Sequence, residues 1–241
     1  MEGVWSVKKT NALYEGKAKI LWETDEPGRM VQEFKDDATA FNGVKHEVIA
    51  GKGVLNNQIS SHFFTLLEKA GVRTHFVEKI SDSEMVVERL NMLALEVVVR
   101  NIAAGSMVKR LGVKPGTEFD PPIVEFYLKD DDLNDPILAE EHVRALGLAT
   151  DEQVAYLKQA ALTVNRVLTE FLSERNTRLV DFKLEFGTTE SGEMVLGDEV
   201  SPDTCRFHDA NTGEIMDKDR FRQDLGGFID AYREVLERVS S

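Results

Sequence analysis

Lys17 and Lys19 flank Ala18 directly after Gly16. In a strand, side chains two positions apart leave the same face, so this spacing would set two ammonium groups side by side. A glycine followed by two such cations suits a polyphosphate, and it equally suits a solvated strand entered from a tight turn. No Walker A pattern accompanies them, so a P-loop is not indicated. A second pattern is Asp181-Phe182-Lys183-Leu184-Glu185-Phe186, in which charged and apolar residues alternate. Further on, Val195-Leu196 leads into Gly197-Asp198-Glu199, so two neighbouring apolar runs both deliver carboxylates. Carboxylates grouped without a matching excess of cations invite Mg²⁺, which takes one or two of them and completes its shell with phosphate oxygens and water. A structural ion-pair network is the competing reading. The register that decides whether Asp198 shares the face of Glu185 is not written in the sequence.

Arg100 stands near the end of an apolar run rich in β-branched residues, and Gly105-Ser106 follows where a helix should open. A fixed guanidinium beside free backbone amides and a hydroxyl would hold a phosphate monoester. A plain N-cap and a structural ion pair would use the same residues. Asp36-Asp37-Ala38-Thr39 and Ser201-Pro202-Asp203 read as loops, either ordinary turns or substrate contacts. The five histidines form neither a helical metal pair nor a triad with a nucleophile, and His208 reads as a surface or packing residue. Cys205, the only cysteine, carries no mark of a nucleophile and allows no intrachain disulfide, which points to a reducing, cytoplasmic setting.

These residues need elements to hold them. Up to about residue 90 the chain reads as short strands at 18–24, 30–34, 74–80 and 85–90, separated by turn material such as Asp25-Glu26-Pro27-Gly28. One helix interrupts them at about 57–70, with Ile59, Phe63, Leu66, Leu67 and Ala70 at helical spacing and Gly71 at its C-terminal cap. Beyond residue 90, a strand at 95–102 leads into a short helix ending near Gly112. Thr150 with Gln153 forms a capping box, and Val154, Leu157, Ala161, Val164, Leu168 and Phe171 mark one face of a long amphipathic helix. Strands at 179–186 and 194–200 join through a turn at Ser191-Gly192, and a last helix at about 219–239 should bury Phe221, Leu225, Phe228, Tyr232 and Val235. The expectation is two lobes, a mostly β lobe at 1–90 and an α/β lobe at 91–241.

The 241 residues, 42% hydrophobic and 30% charged, suffice for a core that needs no staples. Asp and Glu outnumber Lys and Arg by 43 to 29, a net charge of −14 that would repel a nucleic-acid backbone over most of the surface. Nucleic acid is therefore not an expected partner, whereas an anionic small molecule fits if the cations gather in a cleft. Residues 1–11 mix charge with single apolar residues, and no run reaches the roughly 20 apolar residues a membrane helix requires. Neither secretion nor membrane insertion is expected.

Six motifs, read jointly, resemble the SAICAR synthetase family. They are Tyr14-Glu15-Gly16-Lys17-Ala18-Lys19, Asp36-Asp37-Ala38-Thr39-Ala40-Phe41-Asn42-Gly43, and Val98-Val99-Arg100-Asn101 with Ala103-Ala104-Gly105-Ser106. Val180-Asp181-Phe182-Lys183-Leu184-Glu185-Phe186-Gly187, Gly197-Asp198-Glu199 with Ser201-Pro202-Asp203, and Asp217-Lys218-Asp219-Arg220-Phe221-Arg222 complete the set, in the family's order and across nearly the whole chain. The resemblance implies an α+β fold of two lobes related to ATP-grasp and kinase architectures, mainly antiparallel sheets with flanking helices, with ATP between the lobes. It implies that Lys17, Ala18 and Lys19 line the ATP phosphates, that Lys129 is a further nucleotide contact, and that Glu185 and Asp198 meet the nucleotide and its Mg²⁺. Arg100, Ser106 and Arg206 would hold a ribonucleotide 5′-phosphate. Asp135, Asp181 and Lys183 would surround an imidazole carboxylate, and Asp36, Asp37 and Thr39 would close over the substrates. Lys19, Asp181 and Lys183 are the implied catalytic residues, and a homodimer is the implied assembly. Some relatives carry two lysines before the nucleotide hinge where this chain has Glu88-Arg89, so adenine contacts there would run through backbone groups.

The implied chemistry is an ATP-dependent ligation in purine biosynthesis. The imidazole carboxylate attacks the γ-phosphorus to form an acyl phosphate, and the amine of L-aspartate then displaces phosphate to give an amide. Lysines and Mg²⁺ would neutralise charge as the phosphoryl group moves, and the cleft would keep water away. A small-molecule kinase could use the same lysines and carboxylates, and a nucleotide-binding regulator could use part of them.

Overall fold

The structure, a computed structural model, describes residues 7–41 and 43–241. The first six residues of the N-terminal segment and Asn42 of the second motif lie outside them. Strands β1 (Lys9–Glu15), β2 (Lys19–Thr24) and β3 (Arg29–Phe34) form an antiparallel meander. A separate hairpin of β4 (Asp37–Ala40) and β5 (Lys45–Val48) stands where the sequence reads as a loop, so Asp37, Ala38 and Thr39 are strand residues. Helix α1 (Lys52–Lys69) follows, and β6 (Phe76–Lys79) and β7 (Glu84–Glu88) complete a first sheet in the order β1-β2-β3-β7-β6. α1 begins earlier than its apolar spacing indicates because its first turn is capped from a distance. The Asp36 carboxylate accepts from the backbone N–H of Gly51 at 3.2 Å and of Gly53 at 2.9 Å, satisfying amides that a helix start leaves orphaned. Gly71 takes the left-handed φ of 85° expected of a cap.

The second half runs through β8 (Asn91–Ile102), α2 (Gly105–Leu111), β9 (Glu118–Leu128), a 3₁₀ turn at Asp131–Leu133 and β10 (Ile137–Leu138). Helices α3 (Glu140–Ala145) and α4 (Asp151–Ser173) precede β11 (Thr177–Thr188), β12 (Met194–Leu196) and β13 (Cys205–Asp209). The sheet order is β10-β9-β8-β11-β12, and β13 also pairs with β11. The capping box of α4 forms as read, with Thr150 N donating to Gln153 Oε1 at 2.9 Å and Gln153 N to Thr150 Oγ1 at 3.2 Å. β9 is concealed in the sequence by Pro121-Pro122. Its β10 neighbour covers only Tyr127 and Phe126, and the β8 register shifts between Ile123 and Glu118, so the prolines lie beside an open edge on one side and a ladder irregularity on the other.

The expected helix at 219–239 is two, α5 (Asp219–Arg222) and α6 (Phe228–Ser240), because Gly226 and Gly227 between them adopt φ of 66° and 60°. Leu225 in that break is 47% exposed rather than buried, while Phe221, Tyr232 and Val235 are buried as expected. One apolar core joins the two sheets and three helices: Phe34, Phe63, Leu67, Leu157, Leu184, Phe207 and Val235 all belong to it. Phe63 of α1 meets Phe171 of α4 and Phe207 of β13 edge-on or tilted. The sheets also touch at their edges, where Thr74 bridges Leu196, Leu196 N donates to Arg73 O at 3.0 Å, and His75 N donates to Leu196 O at 2.8 Å. Among the described residues, no helix is long and apolar enough to cross a membrane.

Candidate active site

A cleft of about 530 Å³ is lined from both halves of the chain, by Lys17, Ala18 and Lys19 and by Lys129, Lys183, Glu185 and Asp198. Lys19 opens β2, but Lys17 lies in the bend before it, so a turn rather than strand alternation brings the two lysines together. Lys17 pairs with Asp131 at 2.6 Å, both well exposed. Lys19 Nζ donates to Asp198 and, at 2.8 Å, to Glu199 Oε1. Burial opposes its charge, but Asp198 and Glu199 outweigh burial and raise its pKa above the ordinary lysine value. For Asp198, burial alone would raise the pKa, and Lys19 with Lys183 instead holds it at about 2.

The β11–β12 register sets Phe186 opposite Leu196 and Gly187 opposite Val195. Asp198 lies beyond the end of β12 in left-handed backbone, φ 58°, and its carbonyl accepts from Gln32 Nε2 at 3.1 Å. This turn brings its carboxylate into the same cleft as Glu185. Glu185 meets Lys129 and, at 3.3 Å, Lys183, whose Nζ donates to Glu96 Oε1 at 2.7 Å. Burial opposes the Lys183 charge as well, and Glu185 and Glu96 prevail. The expectation of carboxylates in excess of cations is therefore corrected, since lysines match them closely. Among the described residues, no group of three or more His, Cys, Asp or Glu is placed to hold a metal ion by itself.

Along β11 from Lys183 stands a second cluster. Arg100, only 3% exposed, donates from Nε to Glu125 and from Nη1 to Asp181, each at 2.7 Å. Its Nη2 reaches Tyr127 Oη at 3.0 Å and Ser106 Oγ at 3.3 Å. Arg206 Nη1 donates to both oxygens of Asp181 at 2.9 Å, and its Nε to Asp219 at 2.8 Å. Gly105, at φ 55°, lies against that guanidinium, and a Cβ there would come within 2.5 Å of Arg206 Nη2. Arg100, Ser106, Asp181 and Arg206 thus form one cluster of fixed guanidiniums, a geometry suited to a phosphate. Sequence reasoning missed the partners Glu96, Glu125 and Tyr127, and it named Glu199 and Asp219 within motifs without giving either a role. Glu125, Tyr127 and Lys129 share a two-residue spacing that reading β9 as a strand would have exposed.

The remaining candidates stand elsewhere. Asp135, at φ 46°, accepts from Asp130 N at 2.9 Å, and its charge, after burial and Lys183, is among the influences on Glu96. Asp36 caps α1, Asp37 holds His46 at 2.6 Å, and Thr39 lies opposite His46 in the β4–β5 hairpin. None of the four is among the residues lining the cleft. Cys205 is buried, and burial pushes its thiol far from the thiolate form. His208 is half-buried in β13.

A cleft that opposes lysines to carboxylates, beside fixed arginines in an otherwise acidic protein, is suited to an enzyme that uses a nucleotide on a phosphorylated small molecule. The family model described as SAICAR synthetase matches residues 12–239, and the chain belongs to that family. A phosphoribosylaminoimidazole-succinocarboxamide synthase of Pelodictyon phaeoclathratiforme is 60% identical over 233 residues, 97% of this chain and 98% of its own. The crystal structure of the synthase of that name from Ehrlichia chaffeensis is 42% identical and superposes with a TM-score of 0.94, covering 95% of this chain and 98% of its own. A SAICAR synthetase in complex with ADP is 49% identical, with a TM-score of 0.90 over 94% of this chain and 96% of its own.

Proposed function

We propose that the cleft holds ATP with its phosphates against Lys17, Ala18 and Lys19, and that Arg100, Ser106 and Arg206 seat the 5′-phosphate of the second substrate. The chain is an ATP-dependent ligase of purine biosynthesis that joins L-aspartate to a carboxylated aminoimidazole ribonucleotide, giving SAICAR, ADP and phosphate. The observation that carries the site reading is the polar face of β11. Asp181 there belongs to the arginine cluster, and Lys183 and Glu185 belong to the cleft. One strand thereby sets a phosphoryl donor beside a phosphorylated acceptor.

In this reading Lys183 steadies the imidazole carboxylate as its oxygen attacks the γ-phosphorus, and Asp135 borders that group through Glu96. Lys19 and Lys129 offset charge on the moving phosphoryl group, and the apolar walls limit hydrolysis of the acyl phosphate. The amine of L-aspartate then forms the C–N bond as the C–O bond to phosphate breaks. Glu185 and Asp198 are hard oxygen donors whose chemistry fits Mg²⁺ in the presence of phosphates, and the ion would supply further neutralisation there. Asp36, Asp37 and Thr39 enter this reading only as the frame behind the cleft. The lobes are taken as 1–90 and 91–241, working as a homodimer in the cytoplasm, by analogy with the family.

ADP release that depends on both L-aspartate and the imidazole carboxylate is the expected result. Heavy oxygen placed in that carboxylate should move into inorganic phosphate. Unlabelled phosphate formed alongside amide rules out the acyl phosphate, and a phosphorylated product without free phosphate identifies a kinase.

A further inference from the structure

The Asp217-Lys218-Asp219-Arg220-Phe221-Arg222 motif contains a cation that the reading above leaves unused. Lys218 lines the cleft beside Glu199, Asp203 and Thr204. Every other lysine lining the cleft hydrogen-bonds a carboxylate: Lys17 to Asp131, Lys19 to Asp198 and Glu199, Lys129 to Glu185, Lys183 to Glu96. Lys218 approaches Asp203 Oδ2 only to 3.7 Å, beyond hydrogen-bond range. That oxygen is held at 2.7 Å by Lys52, whose side chain is fully buried. The other oxygen accepts from the Tyr232 hydroxyl at 2.7 Å. Glu199, the next acid, is engaged by Lys19 and by the Ser201 hydroxyl. Two ammonium groups therefore share one carboxylate, and Lys52 stands nearer to it than Lys218 does. Burial, with Lys52 and Arg222 adding to it, pulls the Lys218 pKa below the ordinary lysine value against Asp203, as expected of a cation short of an anion.

Of the three substrates, L-aspartate alone brings two carboxylates and no phosphate, and the phosphates of the other two are already provided for. We propose that Lys218 anchors a carboxylate of L-aspartate on the wall of the cleft. The inference rests on the ligase reading above and adds a subsite to it. Lys52 and Tyr232 are positioning residues: by occupying Asp203 they leave the Lys218 ammonium available to the substrate.

Steady-state kinetics on Lys218→Gln and Lys218→Arg, varying each substrate in turn with the other two saturating, test the subsite. In Lys218→Gln the KM for L-aspartate should rise roughly tenfold or more, as for loss of a charge-assisted hydrogen bond. The KM values for ATP and for the ribonucleotide should stay within about twofold, and Lys218→Arg should recover most of the loss. Succinate, which is L-aspartate without its amine, should inhibit the wild type competitively against L-aspartate and lose this effect in Lys218→Gln. An unchanged KM for L-aspartate, or an equal rise for all three substrates, overturns the subsite. If Lys218→Gln does not fold by circular dichroism, Lys218→Arg and wild-type inhibition decide, and noncompetitive or absent inhibition by succinate overturns it. A wild-type protein that forms no amide from L-aspartate would sink the ligase reading itself, a failure seen before any variant is made.

Discussion

Lys19 and Asp198 hold each other charged in the cleft, and each should be costly to remove. Lys19→Ala or Asp198→Asn is expected to lower kcat/KM by roughly 2 to 4 kcal/mol of transition-state stabilisation. Circular dichroism should stay unchanged, because asparagine tolerates the left-handed φ of 58° at position 198. Asp198 also has a signature in acid. Its folded pKa of about 2 lies below the ordinary aspartate range, so its contribution to stability is present above about pH 4 and is lost as pH falls towards 2. Urea unfolding between pH 5 and 2 should show a shallower decline for Asp198→Asn, by up to about 2 kcal/mol. For Arg100, the fork matters more than the charge: three nitrogens serve Glu125, Asp181, Ser106 and Tyr127. Arg100→Lys should weaken ribonucleotide binding by about 1 to 3 kcal/mol and ATP binding far less, as separate titrations would reveal. Equal losses for both ligands would make the residue structural. Alternation along β11 made Asp181, Lys183 and Glu185 legible as a set. The acid that holds Lys183 was not, because Glu96 stands 87 positions away on another strand.

At the scale of elements, legibility followed how local the determining interaction is. α4 was plain because its capping box and apolar stripe lie within its own sequence. α1 was read short because Asp36, the residue that caps it, lies 15 and 17 positions from the amides it accepts from. The last helix was read through a break because apolar spacing continues past Gly226-Gly227, whereas their positive φ values end the helical path. β9 is hidden by a proline pair that a strand tolerates beside an open edge or a ladder irregularity, neither of which shows in the sequence. The remote cap has a measurable consequence. Asp36→Ala should lower stability by about 1 kcal/mol, the usual cost of a lost cap, with KM values near those of the wild type. A large rise in the KM of any substrate without loss of stability would instead return Asp36 to the substrate contacts.

The whole molecule is more unified than a division at residue 90 would imply. Phe63 of α1 packs on Phe171 and Phe207 from beyond that boundary, so the first half exposes its own core when cut away. A fragment of residues 1–90 is expected to lack cooperative unfolding, while the full chain melts in one transition by calorimetry and fluorescence alike. Two independent transitions would restore separate folding units. The same unity bears on how ligands travel. The sheets are bound at one margin by backbone pairing between Arg73, Thr74, His75 and Leu196, whereas the cleft's rim is spanned by the solvated Lys17–Asp131 pair, worth at most about 1 kcal/mol. Asp131→Asn, which frees Lys17 for phosphate, should tighten ADP up to about fivefold in a titration. Such a molecule resembles a bound book: the spine is sewn and the fore-edge is closed by a light clasp, and salt that loosens the clasp leaves the spine untouched.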